Sequence, residues 1–145
     1  MKKNLLLIFG IILAVFWACS PTTDKEETYA EPVKDITGSW SVVSVVRNGQ
    51  DITGLVDFSQ FRINFLADGT YTFDHYLPFV VSKPGTWSLD DNQYAYKINF
   101  VENGQEARNV EFTYPITDGN RQIQISGSPG CPSNTYTYTL EKISQ

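Results

Sequence analysis

The sequence predicts an all-β fold, a single small antiparallel up-and-down β-barrel of about eight strands. Three observations carry this. Short runs alternate apolar and polar residues along most of the chain after Ile36, the pattern of antiparallel strands with one buried and one solvated face. Asx-Gly pairs at Asn48-Gly49, Asp68-Gly69, Asn103-Gly104 and Asp118-Gly119 punctuate those runs, and each favours the left-handed backbone of a tight hairpin. The final run, Thr135 to Leu140, would leave a sticky free edge unless it paired with the first strand, which closes the sheet. A two-sheet sandwich is the alternative arrangement.

The first strand opens at Gly38-Ser39-Trp40 and runs through the β-branched Val42-Val43 and Val45-Val46 to Asn48-Gly49. Thr53 to Gln60 breaks the alternation: Leu55, Val56 and Phe58 lie too close together for a surface loop and predict a short helical turn or plug over one end. Phe61, Ile63 and Phe65 then share a face, followed by Tyr71 and Phe73. Gly85-Thr86-Trp87 repeats the Gly-X-Trp of the first strand, so Trp40 and Trp87 are expected as buried aromatic plugs of the barrel. Tyr94, Tyr96, Ile98 and Phe100 are predicted to point inward. So are Val110, Phe112 and Tyr114, then Ile123 and Ile125, and finally Tyr136, Tyr138 and Leu140.

Ahead of the barrel, Lys2 and Lys3 precede an apolar run of fourteen residues, Leu5 to Ala18. That is short of the roughly 20 residues of a membrane-spanning helix and suits the core of a signal peptide. The run ends at Phe16-Trp17-Ala18-Cys19, which resembles the lipobox of bacterial lipoproteins and implies lipidation of Cys19. An ordinary leader cut after Ala18 is the alternative, against which stands the bulk of Phe16. The division expected is therefore a signal peptide over 1–18, a lipidated Cys and flexible tether over 19–35, and the barrel over 36–145. Ser20 after the Cys resembles an outer-membrane sorting pattern, and Asp24, Glu26 and Glu27 resemble a surface-export signal of Bacteroidota lipoproteins. With Cys19 lipidated, Cys131 has no disulfide partner and reads as a part-buried structural cysteine in a turn-rich stretch.

Gly38-Ser39-Trp40, Arg47-Asn48-Gly49, Phe61 to Phe65, Asp68-Gly69-Thr70-Tyr71 and Gly85-Thr86-Trp87, together with the lipobox, resemble the lipocalin-like domains of uncharacterised Bacteroidota lipoproteins. The resemblance spans about residues 36 to 143. It implies a fold and a cell-envelope, outer-membrane compartment, with no activity attached. Lipocalins also place an arginine over the first tryptophan, for which Arg121 is the candidate.

Chemistry is sparse. The one histidine, His75, sits beside Asp74 on a strand, where neighbours face opposite ways, and no Gly-X-Ser-X-Gly elbow accompanies it. Asp90-Asp91-Asn92 lacks the loop and later Glu of a calcium motif and reads as a turn. No phosphate-cradling glycine loop and no Cys/His metal spacing occurs, so no enzyme activity, cofactor or metal is expected. Eleven basic residues, less Lys2 and Lys3, leave nine against sixteen acidic ones, a mature charge of −7. Without a basic stripe, nucleic acid is not an expected partner, and membrane contact should come from the lipid anchor. What remains is binding. Tyr76-Leu-Pro-Phe-Val-Val81 is too apolar for an ordinary loop, and Tyr76, Leu77, Phe79 and Val81 are the candidate ligand contacts at a barrel mouth. The expected function is a lipid-anchored envelope module for a small apolar or amphipathic ligand. The alternative is a non-enzymatic interaction, inhibitor or accessory subunit module that contacts an envelope protein at the outer membrane.

Overall fold

The computed structural model describes residues 30–75, 80–128 and 130–143. Residues Glu31–Gln145 form a compact unit of their own, and every buried core residue lies within it. Its strands are β1 (Gly38–Arg47), β2 (Gln50–Asp51), β3 (Arg62–Phe65), β4 (Thr70–Asp74), β5 (Gly85–Leu89), β6 (Lys97–Glu102), β7 (Arg108–Thr113), β8 (Ile116–Thr117), β9 (Asn120–Gly127) and β10 (Tyr136–Lys142). The order β10-β1-β3-β4-β5-β6-β7-β9 is closed by a β9–β10 ladder, so eight antiparallel strands form a barrel. The closure predicted between the last and first strands is present, with Trp40 opposite Lys142 and Arg47 opposite Tyr136. The two-residue strands β2 and β8 extend neighbouring hairpins.

Local chemistry explains the turns. Asn48 and Gly49, like Asp118 and Gly119, all have positive φ, as a two-residue type I′ hairpin requires. In the Asp68-Gly69 and Asn103-Gly104 turns only the glycine has positive φ. A bulge between Val42 and Ser44 resets the alternation of β1. Trp40 and Val42 face the core before it and Val45 after it, while Val43 is left exposed. The paired valines thus straddle the bulge.

The barrel has two unlike ends. At one, β1, β5 and β9 meet the loops that carry Asp68, Asp90 and Asp118, and residues 31–37 run across as a strap. Lys34 N donates to Asn92 O at 2.7 Å and Gln93 Nε2 to Glu31 O at 3.0 Å. Tyr114 Oη donates to Asp35 O at 2.7 Å. Trp40, fully buried, donates its indole N–H to Ile36 O at 2.8 Å, so this end is sealed by the strap and the first tryptophan. Arg121, on β9, lies 4.7 Å from the centre of the Tyr114 ring, and Tyr114 packs 6.4 Å from Trp40. The arginine therefore reaches the tryptophan through an intervening tyrosine.

Trp87 is only partly buried and meets Phe65 edge-on at 5.2 Å. Its indole nitrogen and the Tyr71 hydroxyl are buried with no hydrogen-bond partner among the described residues. Tyr94 and Tyr96, predicted inward, are exposed instead. The reason is local. Asp91 Oδ1 accepts from the Gln93 and Tyr94 backbone N–H groups, and Asp90 Oδ1 from those of Tyr96 and Lys97. These carboxylates hold residues 90–96 as a loop, so strand alternation begins only with Lys97, outward, and Ile98, inward.

The interior tyrosines make the fold sensitive to alkali. Burial, then the nearby Glu102 charge, pushes the Tyr71 hydroxyl above its usual range, and burial pushes Tyr138 up to about 12. An unfolded tyrosine ionises near pH ~10. The folded chain therefore holds protons that the unfolded chain releases. This stability is complete below that pH and is lost as pH rises toward 12. The urea midpoint should fall between pH 9.5 and ~11.5. Tyr71→Phe, which removes a buried hydroxyl with no partner among the described residues, should not lower the midpoint at pH 8 and should flatten the alkaline slope. An unchanged slope would remove Tyr71 from this account.

Candidate ligand-binding site

At the barrel end opposite the strap, a groove grows from the end of β1. After the bulge, Val45 and Arg47 share the inward face, the Asn48-Gly49 turn reverses the chain, and β2 pairs back on Val46 and Arg47. The chain then leaves the ladder. Ile52 N donates to Val45 O at 2.9 Å, and Thr53 Oγ1 accepts from Val45 N at 2.9 Å, so a side chain stands in for the missing strand partner. Asp51 Oδ1 accepts from Thr53 N at 2.8 Å and starts a single 3-10 turn over Thr53–Leu55. This is the helical plug expected from sequence, although only part of it plugs. Phe58 is buried, whereas Leu55 and Val56 are 76% and 47% exposed.

Between this segment and β10 lies a cavity of about 300 Å³, lined by Val45, Ile52, Leu55, Val56, Phe58, Arg47, Tyr136 and Tyr138. The two tyrosine rings stack at 6.1 Å with 14° between their planes and form one wall. Arg47 sits at the rim. Its Nε donates to Asn134 Oδ1 at 2.6 Å and its guanidinium lies 5.6 Å from the centre of the Tyr136 ring. Asn48 fixes this corner: its N donates to Thr135 O at 2.9 Å, and its Oδ1 accepts from Thr135 N at 2.8 Å. A preformed apolar groove with a few placed polar groups is the usual form of a small-molecule site.

A smaller space of about 150 Å³ lies at the same end, between Val80, Val110, Gly127, Ser128, Asn109 and Arg108. Beside it, Glu102 Oε1 accepts from the backbone N–H groups of Ser82 and Lys83, the latter at 3.1 Å. Burial alone would raise the Glu102 carboxyl, but these donors, the Ser82 hydroxyl and the Arg108 charge hold it below its ordinary value.

Of the residues singled out from sequence, Cys19, Tyr76, Leu77 and Phe79 lie outside the described residues. Val81 is buried in the core, 4% exposed, beside the equally buried Val80. Trp40 seals the far end and Trp87 stands among the interior aromatics. His75 is exposed with φ 60°. Cys131 is exposed and free rather than part-buried, in a turn closed by Asn134 N donating to Cys131 O at 2.9 Å. Hydrogen bonding to the Ser133 side chain, then to its backbone, holds the thiol pKa below its usual value. Among the described residues no cluster of His, Cys, Asp and Glu could hold a metal ion. Sequence reading flagged Leu55, Val56 and Phe58 as too apolar for a loop, the one signal that could have located the groove. It did not join them to Arg47 or Tyr136.

A family model described as a domain of unknown function, DUF5004, matches residues 20–141. No curated protein and no solved structure matches the chain. The closed eight-stranded antiparallel barrel fits a lipocalin-like fold.

Proposed function

The chain belongs to the DUF5004 family, and we propose that it is a non-enzymatic binding module that takes a small apolar or amphipathic ligand at the barrel end opposite the strap. It works at the bacterial cell envelope, held by a lipid on Cys19 after removal of residues 1–18. The observation that carries this reading is the groove of about 300 Å³, walled by stacked tyrosines and by Leu55 and Val56, which stay exposed at a cost in apolar hydration. The lipobox-like Phe16-Trp17-Ala18-Cys19 and the acidic segment behind it support an outer-membrane anchor. A second reading, an accessory module that contacts an envelope protein, is favoured by Tyr94, Tyr96 and Ile116, exposed at the strapped end.

The test is a titration of the Glu31–Gln145 unit, which contains the whole core, with the neutral fluorophore N-phenyl-1-naphthylamine. Saturable enhancement that Leu55→Ser abolishes is the expected result. Enhancement insensitive to Leu55→Ser but lost in Phe79→Ser would move the site to the Tyr76–Val81 segment, and no enhancement would leave the accessory reading. Membrane fractionation of Cys19→Ala in the full chain decides the anchor, since unchanged partitioning would remove it.

A further inference from the structure

Deepening the reading just given, we infer that the ligand of this groove is an amphipathic carboxylate. Its apolar body of about ten non-hydrogen atoms lies in the groove, and its head is gripped by Arg47. The size follows from the cavity of about 300 Å³, divided by the ~30 Å³ that a water-sized group occupies in a liquid. The body is specified by the wall: Val45, Ile52, Leu55 and Val56 on one side and the stacked Tyr136 and Tyr138 rings on the other.

The head is specified by the state of Arg47. Among the described residues it is the one charged side chain lining the groove. Its Nε is bound to Asn134 and its plane is laid against the Tyr136 ring, which fixes the fork while leaving its two terminal nitrogens unengaged among the described residues. Neither acid of the covering segment forms an ion pair with it. Asp51 accepts from the Thr53 N–H and Asp57 from the Ser59 N–H, each within its own turn. Among the described residues the one ion pair is Lys34–Glu31, at the other end of the barrel. Arg62 and Arg121 lack a carboxylate as well, but their Nη1 atoms donate to the backbone carbonyls of Ser59, Phe61 and Tyr114, whereas the terminal nitrogens of Arg47 face the apolar groove without such an acceptor among the described residues. A planar carboxylate matches such a fork with two parallel hydrogen bonds. A neutral ligand would leave the fork unused.

Decanoate and decanol separate the head from the body. Both should displace N-phenyl-1-naphthylamine from the Glu31–Gln145 unit, and decanoate should bind about tenfold more tightly, the effect of one charge-assisted contact at a half-open site. In Arg47→Gln the two should bind alike, and the ratio of their affinities is the quantity read, so that any loosening of the groove affects both. Arg47→Lys, a point charge without a fork, should fall between. Equal affinities in the unaltered unit, or a decanoate preference that survives Arg47→Gln, would overturn the carboxylate while leaving the groove as a binding site. Failure of both ligands together with the neutral probe would remove the groove itself. An anionic lipid surface shares this chemistry. Co-sedimentation with phosphatidylglycerol vesicles that is lost in Arg47→Gln would overturn the free carboxylate in favour of a membrane contact.

Discussion

Trp40→Ala is expected to lower the unfolding free energy of the barrel by about 3–5 kcal/mol, the range for truncating a large buried aromatic. Trp40 has no exposed surface, and it stands where β1 is flanked by both β3 and β10, opposite Ile63 and Lys142. Two losses combine. The cavity left behind is bounded by strands on both sides and cannot collapse without breaking the ring. The Ile36 carbonyl also loses the indole N–H that holds the strap, and Tyr114 loses the ring it packs against. Trp40→Phe separates the two effects, since it keeps most of the volume and removes the donor. It should cost about 1–3 kcal/mol and release the strap to amide exchange. Urea unfolding followed by hydrogen exchange at residues 31–37 reads both. A midpoint that hardly moves in Trp40→Ala would show that the strapped end contributes little to the fold.

Gly85→Ala should be nearly as damaging, although it adds a single methyl group. A Cβ at Gly85 would lie 2.0 Å from Val101 O, 2.8 Å from Val101 C and 2.9 Å from Glu102 Cα. All three are backbone atoms and cannot rotate aside. Gly85 is paired to β4 through Tyr71 and to β6 through Glu102, so the only relief is to part the β5–β6 ladder. Overpacking in cores costs about 1–3 kcal/mol and occasionally more, and the upper end applies where the obstacle is main chain. The contrast is Gly38→Ala, whose Cβ would meet only the flexible Lys142 side chain, at 2.8 Å, although φ is +116° there. A smaller loss at Gly85 than at Gly38 would contradict the close approach of β5 and β6.

These two glycines show how far the sequence could be read. Both stand in a Gly-X-Trp, and nothing local distinguishes them. One turns the chain with a positive φ, whereas the other admits a neighbouring strand. The barrel itself was legible because its signals are local: period-two alternation marks a strand, Asx-Gly marks a hairpin, and an apolar last strand demands a partner. The Tyr94 and Tyr96 orientation was not, because side-chain carboxylates three and six residues upstream capture their backbone donors and override alternation. The groove was legible only in part. Its walls come from residues 45–58 and 136–138 and meet only because the ring closes. A cluster of apolar residues in a loop announces that something must cover them, but not that Arg47 and Tyr136 stand opposite.

The strap across the sealed end gives the barrel a defined response to load. A pull transmitted along the chain from its N-terminal side arrives at Glu31 and meets the bonds from Gln93, Asn92, Tyr114 and Trp40 in turn. These lie one behind another along the chain, so they peel singly and each releases a little slack before the next is strained. Only when the last has opened does tension reach β1. That strand is then drawn along its own axis against β10 and β3, so its ladders resist together, in shear. The strap is thus a sacrificial hitch that absorbs small tugs, while the groove at the far rim keeps its shape.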